Sequence, residues 1–173
     1  SHMDKPKPAP EPAVPDMHRR VPQYLVRRVA QICNAIQSEA YADHGLMPWQ
    51  FAVLMQVRSR PGMDRNWHAA AAGCDATSVG QTLERWVSQG LAVRGINPLD
   101  RRAGAYSLTP EGHALAETLL PRSRAATRQI LSPLDEDEAR VLMELLARLV
   151  DAHEAHARPG AGRRPPRKKP PNG

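Results

Sequence analysis

Apolar residues recur every three or four positions through the first half of the chain, which is the spacing of one face of an α-helix. A helix is therefore predicted over about 19–43, and a second helix is predicted to begin near Pro48 and end before Pro61-Gly62. The inward-facing residues predicted for these two helices are Leu25, Val26, Val29, Ile32, Cys33, Ile36 and Ala40 in the first, and Trp49, Val53, Leu54 and Val57 in the second.

Two further helices and a hairpin are predicted next. A short helix fits Arg65–Ala72, Gly73 breaks it, and Asp75 is suited to cap a fourth helix over 76–89. The inner face of that fourth helix is expected to carry Val79, Leu83, Trp86 and Val87. The β-prone runs 91–94 and 105–108 flank the polar turn 97–104 and so predict a hairpin.

The last third of the chain predicts two more helices. Thr109-Pro110-Glu111 is a helix start, and the fifth helix runs to Leu131, although Pro121 is expected to kink or divide it. The sixth helix follows Ser132-Pro133 and begins with a cluster of acidic residues. It is expected to bury Leu142, Leu145, Leu146, Leu149 and Val150. The fold class is therefore mainly α, with six helices and one small β-hairpin.

Composition divides the chain into one folded domain between two arms. Residues 1–17 are predicted to be a tag remnant (Ser1-His2-Met3) followed by a disordered, proline-rich arm, and residues 158–173 a disordered basic tail. The 173-residue chain has a net charge of +6, but the tail alone carries six Lys or Arg residues and no acid, so the domain at 18–157 is nearly neutral. The high pI by itself supports nucleic-acid binding only weakly.

The sequence also excludes several classes. No apolar run is long enough for a membrane helix and no secretory signal pattern is present, so a cytoplasmic protein without a membrane partner is expected. Cys33 and Cys74 are far apart and form no CxxC pair, which argues against a disulfide scaffold or structural zinc. We find no phosphate loop, zinc motif or nucleophile–base constellation. Neither an enzyme nor a cofactor is predicted.

The segment 64–108 is typical of a helix-turn-helix followed by a basic wing. The fourth helix presents short polar side chains near its start, opposite its apolar face, as a helix in a major groove requires. The expected contacts are base or phosphate bonds from Thr77, Ser78 and Gln81 and a phosphate bond from Arg85. Arg101 and Arg102, at the tip of the hairpin, suit the minor groove, where Asp100 is expected to hold one guanidinium.

Residues Leu91–Leu115 (LAVRGINPLDRRAGAYSLTPEGHAL) resemble the multiple-antibiotic-resistance regulator (MarR) family. The matching pieces are Gly90-Leu91, the wing residues 97–102, and Leu108-Thr109-Pro110-Glu111-Gly112. The resemblance implies a winged helix-turn-helix lobe at about 48–108 and a helical dimerisation lobe at about 18–45 and 109–157. It further implies a homodimer that binds a pseudo-palindromic duplex DNA site, most often as a repressor, and a small-molecule or redox signal that weakens DNA binding. Gly80 and the alanine-rich third helix depart from the family pattern.

The nature of the signal stays open at this point. An effector pocket lined by Tyr24, Arg28, Trp49 and Trp67 is one hypothesis, with an aromatic carboxylate or its thioester as the family analogy. The alternatives are a thiol redox switch at Cys33 and a nonspecific nucleic-acid-binding protein driven by the tail. Cys74 is expected to be packed rather than reactive. His153 and His156 have metal-binding spacing, but a solvated last helical turn is the favoured interpretation, and no metal is predicted.

Overall fold

The computed structural model describes residues 13–156 of the chain. Within them, six α-helices and two β-strands confirm the predicted element order and the mainly helical fold class. The helices are α1 (Pro22–Tyr41), α2 (Pro48–Ser59), α3 (Arg65–Ala72), α4 (Ala76–Ser88), α5 (Pro110–Leu131) and α6 (Glu136–Ala152), and the strands are β1 (Ala92–Ile96) and β2 (Gly104–Leu108). The basic tail and residues 1–12 of the proline-rich arm lie outside the described residues. None of the described helices is both long and apolar enough to span a membrane.

Side-chain caps explain where several helices begin. Asp64 accepts the amide proton of Trp67 at 2.8 Å, and Asp75 accepts that of Ser78 at 2.9 Å. Both bonds satisfy a backbone donor that the first helical turn leaves without a partner. Between these two helices Gly73 adopts a left-handed conformation with φ of 67°, which ends α3 and turns the chain sharply into α4.

The core lies where α2, α4 and α5 meet beneath the hairpin. Residues from these helices that are completely shielded from solvent include Val53, Leu54, Val57, Val79, Leu83 and Leu119. Tyr41, at the end of α1, stacks on Phe51 of α2 with ring centroids 4.4 Å apart. The predicted inner faces of α2 and α4 are therefore largely confirmed, with Trp49 and Val87 only partly buried.

The hairpin is connected to the helices along one edge. β1 and β2 pair antiparallel from Ala92–Leu108 to Ile96–Gly104. On the other side of β2, the amide of Tyr106 donates to the carbonyl of Met63 at 3.0 Å, and the amide of Gly62 donates to the carbonyl of Tyr106 at 2.8 Å. The sequence predicted only that the second helix ends at Pro61-Gly62. These bonds tie the base of the wing to the loop between α2 and α3.

The outer helices depart from the predictions at two places. Of the two outcomes predicted at Pro121, division of α5 does not occur, because the helix is continuous to Leu131. The prediction that α6 buries its leucines is wrong. Helix α6 buries none of its residues within the chain, and Leu145, Leu149 and Val150 are 46%, 54% and 56% exposed. The first stripe behaves similarly, since Val29 and Ile32 of α1 are each 50% exposed. Periodicity identified these apolar faces correctly, but no other element within residues 13–156 covers them.

Candidate nucleic-acid interface

The outer face of α4 carries free polar groups close to its N-terminus. Thr77 and Gln81 are exposed and one helical turn apart, whereas Val79 and Leu83 on the inner face are fully buried. Within residues 13–156 the Gln81 amide makes no hydrogen bond, so both its donor and its acceptor are available to a ligand. An amide with both functions free matches the paired donor and acceptor of adenine in the major groove.

Ser78 is partly committed to the cap of its own helix. Its hydroxyl donates to Oδ2 of Asp75 at 3.0 Å, and its amide donates to the same oxygen at 2.9 Å. The hydroxyl proton is thus occupied, while the lone pairs of the oxygen stay available to accept. Ser78 therefore suits a donor such as a base amino group better than it suits a phosphate.

Arg85 lies farther along the same helix, and a buried hydroxyl restrains its guanidinium. Its Nη2 donates to the hydroxyl oxygen of Thr82 at 3.4 Å, and Thr82, which is only 1% exposed, also receives Nε2 of Gln50 at 3.5 Å. The side chain of Arg85 is itself exposed. One bond to a buried hydroxyl restrains the guanidinium but leaves most of its donors for an anion.

The wing presents two arginines at its tip. Arg101 and Arg102 are exposed, and neither side chain forms an ion pair among the described residues. The expectation that Asp100 holds a guanidinium is not met, because its Oδ1 instead accepts the backbone amide of Arg102 at 3.0 Å. Asn97 likewise accepts the amide of Leu99 at 3.0 Å. Short polar side chains thus shape the turn, and the arginine heads are left unneutralised.

The base of the wing is joined to α4 by side chains that sequence reasoning missed. The hydroxyl of Tyr106 on β2 donates a short hydrogen bond to Glu84 of α4, and Arg94 of β1 lies 3.8 Å from the same carboxylate. Burial, followed by the bond to Glu84, raises the pKa of Tyr106 to about 12, so this hydroxyl keeps its proton at neutral pH. The contact joins residues 22 positions apart, and no local pattern reveals it.

A groove of about 800 Å³ lies between the start of α4 and the wing, and we call it the wing groove. Arg65, at the start of α3, lines it together with Thr77 and Gln81 of α4 and Arg102 of the wing. A smaller groove of about 260 Å³ lies on the other side of α4, bounded by Trp49, Ser78, Gln81, Thr82 and Arg85. Gln81 therefore stands on the ridge between two grooves. The structure brings Thr77 and Gln81 together with Arg102 in the wing groove, whereas Ser78 and Arg85 line the smaller groove.

Several known proteins are similar to this chain, although no protein-family model matches it. A probable transcriptional regulator from Pseudomonas aeruginosa is 30% identical, with a TM-score of 0.69 over 77% of this chain and 98% of that one. The structure of BpsR from Bordetella bronchiseptica, whose DNA binding is described as regulated by 6-hydroxynicotinic acid, is 28% identical, with a TM-score of 0.71 over 80% of this chain and 98% of that one.

Two further similarities specify the family. The repressor NicR of Pseudomonas putida is 26% identical over 131 residues, which are 76% of this chain and 83% of NicR. A MarR variant from Escherichia coli, solved with operator DNA, shares the fold at 23% identity, with a TM-score of 0.69 over 79% of this chain and 99% of that one.

The chain belongs to the MarR family. Members of this family are transcriptional regulators with a winged-helix fold, and they are not enzymes, as the sequence predicts.

The four residues suggested for an effector pocket of this MarR-family protein have different neighbours. Tyr24 stacks on His18 at 4.3 Å, while Trp67 packs edge-on against His68 at 5.3 Å. Trp49 lines the smaller groove, and Arg28 donates to Gln31 at 3.2 Å on the exposed face of α1. The two grooves described above contain only Trp49 of this set.

The cysteines and the histidine pair are placed as follows. Cys33 is half-buried on α1. Cys74 donates to the carbonyl of Ala72 at 3.4 Å, and burial raises the pKa of its thiol, which makes it a poorer nucleophile. His153 and His156 have ring centroids 6.3 Å apart, and no cluster of three or more potential metal ligands occurs within residues 13–156.

Proposed function

We propose that this MarR-family protein is a repressor that binds a pseudo-palindromic operator as a homodimer and releases it when a small aromatic carboxylate binds. The observation that carries the proposal is the shared surface of α4 and the wing. There, exposed Thr77 and Gln81 stand beside Arg102, whose guanidinium forms no ion pair among the described residues. Helix α4 would enter the major groove and the wing the adjacent minor groove.

Each predicted DNA contact has a chemical role. Gln81 would bond the paired edge of adenine. Thr77 would bond a neighbouring base or phosphate, and Ser78 would accept from a base amino group. Arg85 would contact a phosphate beside the major groove. Arg101 and Arg102 would occupy the minor groove, whose negative potential favours a guanidinium. Asp100 contributes indirectly, since it holds the backbone of the turn that carries both arginines.

The uncovered apolar faces of α1 and α6 support the homodimer. Each of these faces exposes large apolar side chains by about half, among them Val29 and Ile32 on α1 and Leu145 and Leu149 on α6. Long exposed apolar stripes of this kind are unusual in monomeric soluble proteins. A second copy of the chain would cover both helices. Two copies related by a two-fold axis would present two α4 helices about 34 Å apart, which is the spacing of successive major grooves.

The description of one relative supports the class of effector, and the name of another supports the repressor role. BpsR is described as regulated by 6-hydroxynicotinic acid, which is an aromatic carboxylate, and NicR is named a repressor. A ligand weakens DNA binding only if it prefers the conformation in which the two α4 helices are wrongly spaced. We keep Tyr24, Arg28, Trp49 and Trp67 as candidate ligand contacts in the homodimer. Isothermal titration with 6-hydroxynicotinic acid and related carboxylates, with and without operator DNA, tests this part.

The direct test of the proposed function is a selection of genomic fragments bound by the purified full chain at two salt concentrations. Recovery of a few sites that share an imperfect palindrome at both salt concentrations is the expected result. Recovery of random fragments whose binding collapses at the higher salt would contradict it and favour the nonspecific alternative. Deleting 158–173 in the same assay separates the contribution of the tail from that of α4 and the wing.

A thiol switch at Cys33 is the second candidate, because this thiol is only half-buried. Peroxide that weakens DNA binding by the parent but not by the Cys33→Ser protein would support it. Equal binding by both proteins after peroxide would exclude it.

A further inference from the structure

Gly80 is a buried residue of α4 whose missing side chain leaves room for a side chain of α3. It lies in the second turn of α4, between Thr77 and Gln81 of the outer face. A Cβ atom at position 80 would lie 2.9 Å from Cδ and 3.2 Å from Nη1 of Arg65. The side chain of Arg65 therefore lies directly against the backbone of α4 and occupies the space that any other residue at position 80 would fill.

The guanidinium of Arg65 has no charge partner in the part of the chain that the structure describes. The three acidic residues of the wing groove are occupied by other groups. Asp64 accepts the amide of Trp67, Glu84 binds Tyr106 and Arg94, and Asp100 accepts the amide of Arg102. Arg65 forms no hydrogen bond or ion pair within residues 13–156, although it is seated in a groove that contains all three carboxylates.

The position of Arg65 in the motif indicates which part of DNA it meets. It is the first residue of α3, the first helix of the helix-turn-helix, and that helix crosses the DNA backbone while the second enters the groove. The seat on Gly80 holds its guanidinium beside Thr77 and Gln81, on the side of α4 that faces the wing. An unpaired guanidinium at this place is suited to a phosphate at the edge of the major groove.

We propose that Arg65, seated on Gly80, contacts a DNA phosphate and positions α4 in the groove. Gly80 is then a positioning residue that acts through Arg65 and does not itself touch DNA. This inference rests on the proposed function, because it requires that α4 and the wing bind duplex DNA. It explains why a glycine stands in a DNA-facing helix, where it lowers helix propensity relative to alanine.

The test is a double-mutant cycle with Arg65→Ala, Gly80→Ala and the combined variant. Affinity is measured over a range of salt for a fragment recovered in the genomic selection and for a random duplex of equal length. Arg65→Ala should weaken binding to both duplexes and lower the slope of log affinity against log salt by about one, as loss of one phosphate contact predicts. Gly80→Ala should weaken binding in the parent and have little effect when Arg65 is already alanine.

Three controls keep the outcomes distinct. Arg65→Lys retains the charge and should keep the parent's salt slope. Arg124→Ala removes an exposed arginine of α5 that does not line the wing groove, and it should leave the slope unchanged. Because the added Cβ meets only the end of a flexible side chain, Gly80→Ala should stay folded, and circular dichroism checks this.

An unchanged affinity and slope for Arg65→Ala would overturn the inference while leaving the proposed function intact, provided that the parent still selects its palindrome. An equal effect of Gly80→Ala in both backgrounds would also overturn it, because Gly80 would then act independently of Arg65. A parent that selects no fragment would refute the proposed function itself.

Discussion

The winged lobe and the outer helices of this protein use their apolar residues in opposite ways. In α2 and α4, Val53, Leu54 and Leu83 are fully buried within the chain, and the polar residues of α4 face outward. In α6, Leu145 and Leu149 are about half exposed, and the helix has no buried residue at all. The first region completes its core within the chain, with help from α5 and the end of α1. The second region has an apolar face that no residue of 13–156 covers.

In the proposed homodimer, burial within one chain separates residues that support the fold from residues that support assembly. The core of α2, α4 and α5 should be stabilised by contacts within one chain, and the stability of α1 and α6 should depend on a second copy. Substitutions in the two regions should therefore have different effects.

The largest effect is expected from charging the stripe of α6. The double variant Leu145→Glu, Leu149→Glu should convert the proposed dimer to a monomer, because a buried unpaired carboxylate is strongly unfavourable. Loss of simultaneous binding to two half-sites should then weaken operator affinity by about 100-fold or more. Analytical ultracentrifugation and a binding titration measure the two effects. The control is Ala147→Glu, which helical spacing places away from the stripe and which should change neither the oligomeric state nor the operator affinity. A double variant that stays dimeric would contradict the proposed role of the α6 stripe.

A large loss of stability is expected from a cavity in the winged lobe. Leu83→Ala removes a completely buried side chain and should lower the free energy of unfolding by about 2–5 kcal/mol. The loss should be about the same in the parent and in the monomeric α6 variant, since this core lies within one chain. Chemical denaturation of Leu83→Ala in both backgrounds checks this. A loss that differs strongly between the two backgrounds would contradict the separation of the two regions.

A smaller, sequence-dependent effect is expected on the outer face of α4. Gln81→Ala should cost on the order of 1–3 kcal/mol on the selected operator and little on random DNA. The matched control is Gln89→Ala, which removes an exposed glutamine from the opposite end of the helix. Equal losses on both duplexes would refute base recognition by Gln81.

The smallest effect is a pH dependence of the free energy of unfolding, caused by a histidine buried within the helix-turn-helix. His68 of α3 is 0% exposed, neither ring nitrogen has a hydrogen-bond partner within the described residues, and burial lowers its pKa below 6.5. Below pH 6.5 the unfolded chain takes up a proton that the folded chain resists, so the free energy of unfolding should fall as the pH drops from 6.5 toward the lowered pKa. Above pH 6.5 this group should contribute no pH dependence.

Denaturation curves of the parent and of His68→Leu at several pH values between 5 and 7.5 measure this effect. The free energy of unfolding of the parent should fall relative to that of His68→Leu only below pH 6.5. His113→Leu, at an exposed position of α5, is the control. If the unfolding free energies of the parent and of His68→Leu change in parallel with pH, His68 is protonated equally in the folded and unfolded states, and the prediction is wrong.

Local signals explain which features could be predicted from the sequence. Helix α3 spans Arg65–Ala72 and α5 ends at Leu131 as predicted, because caps, prolines and Gly73 act on their immediate neighbours. The polar face of α4 also followed from helical spacing. The MarR resemblance depended on the residues of the hairpin and the helix start after it.

Features that depend on distant residues could not be predicted. The bonds from Tyr106 to Met63 and to Glu84 join separate elements, and no periodicity encodes them. The contact of Arg65 with Gly80 crosses from one helix to the next, so the sequence showed Gly80 only as a departure from the family pattern. The stripe of α6 was recognised, but periodicity does not say whether the same chain or a second chain covers it.

The proposal that the chain binds its operator as a homodimer is tested most directly by the mass of the complex between the full chain and one selected operator, measured by native mass spectrometry. A homodimer should give two chains for each duplex, and scrambling one half of the palindrome should abolish the tight complex. One chain for each duplex, with the half-scrambled site bound as tightly as the intact one, would contradict a dimeric regulator.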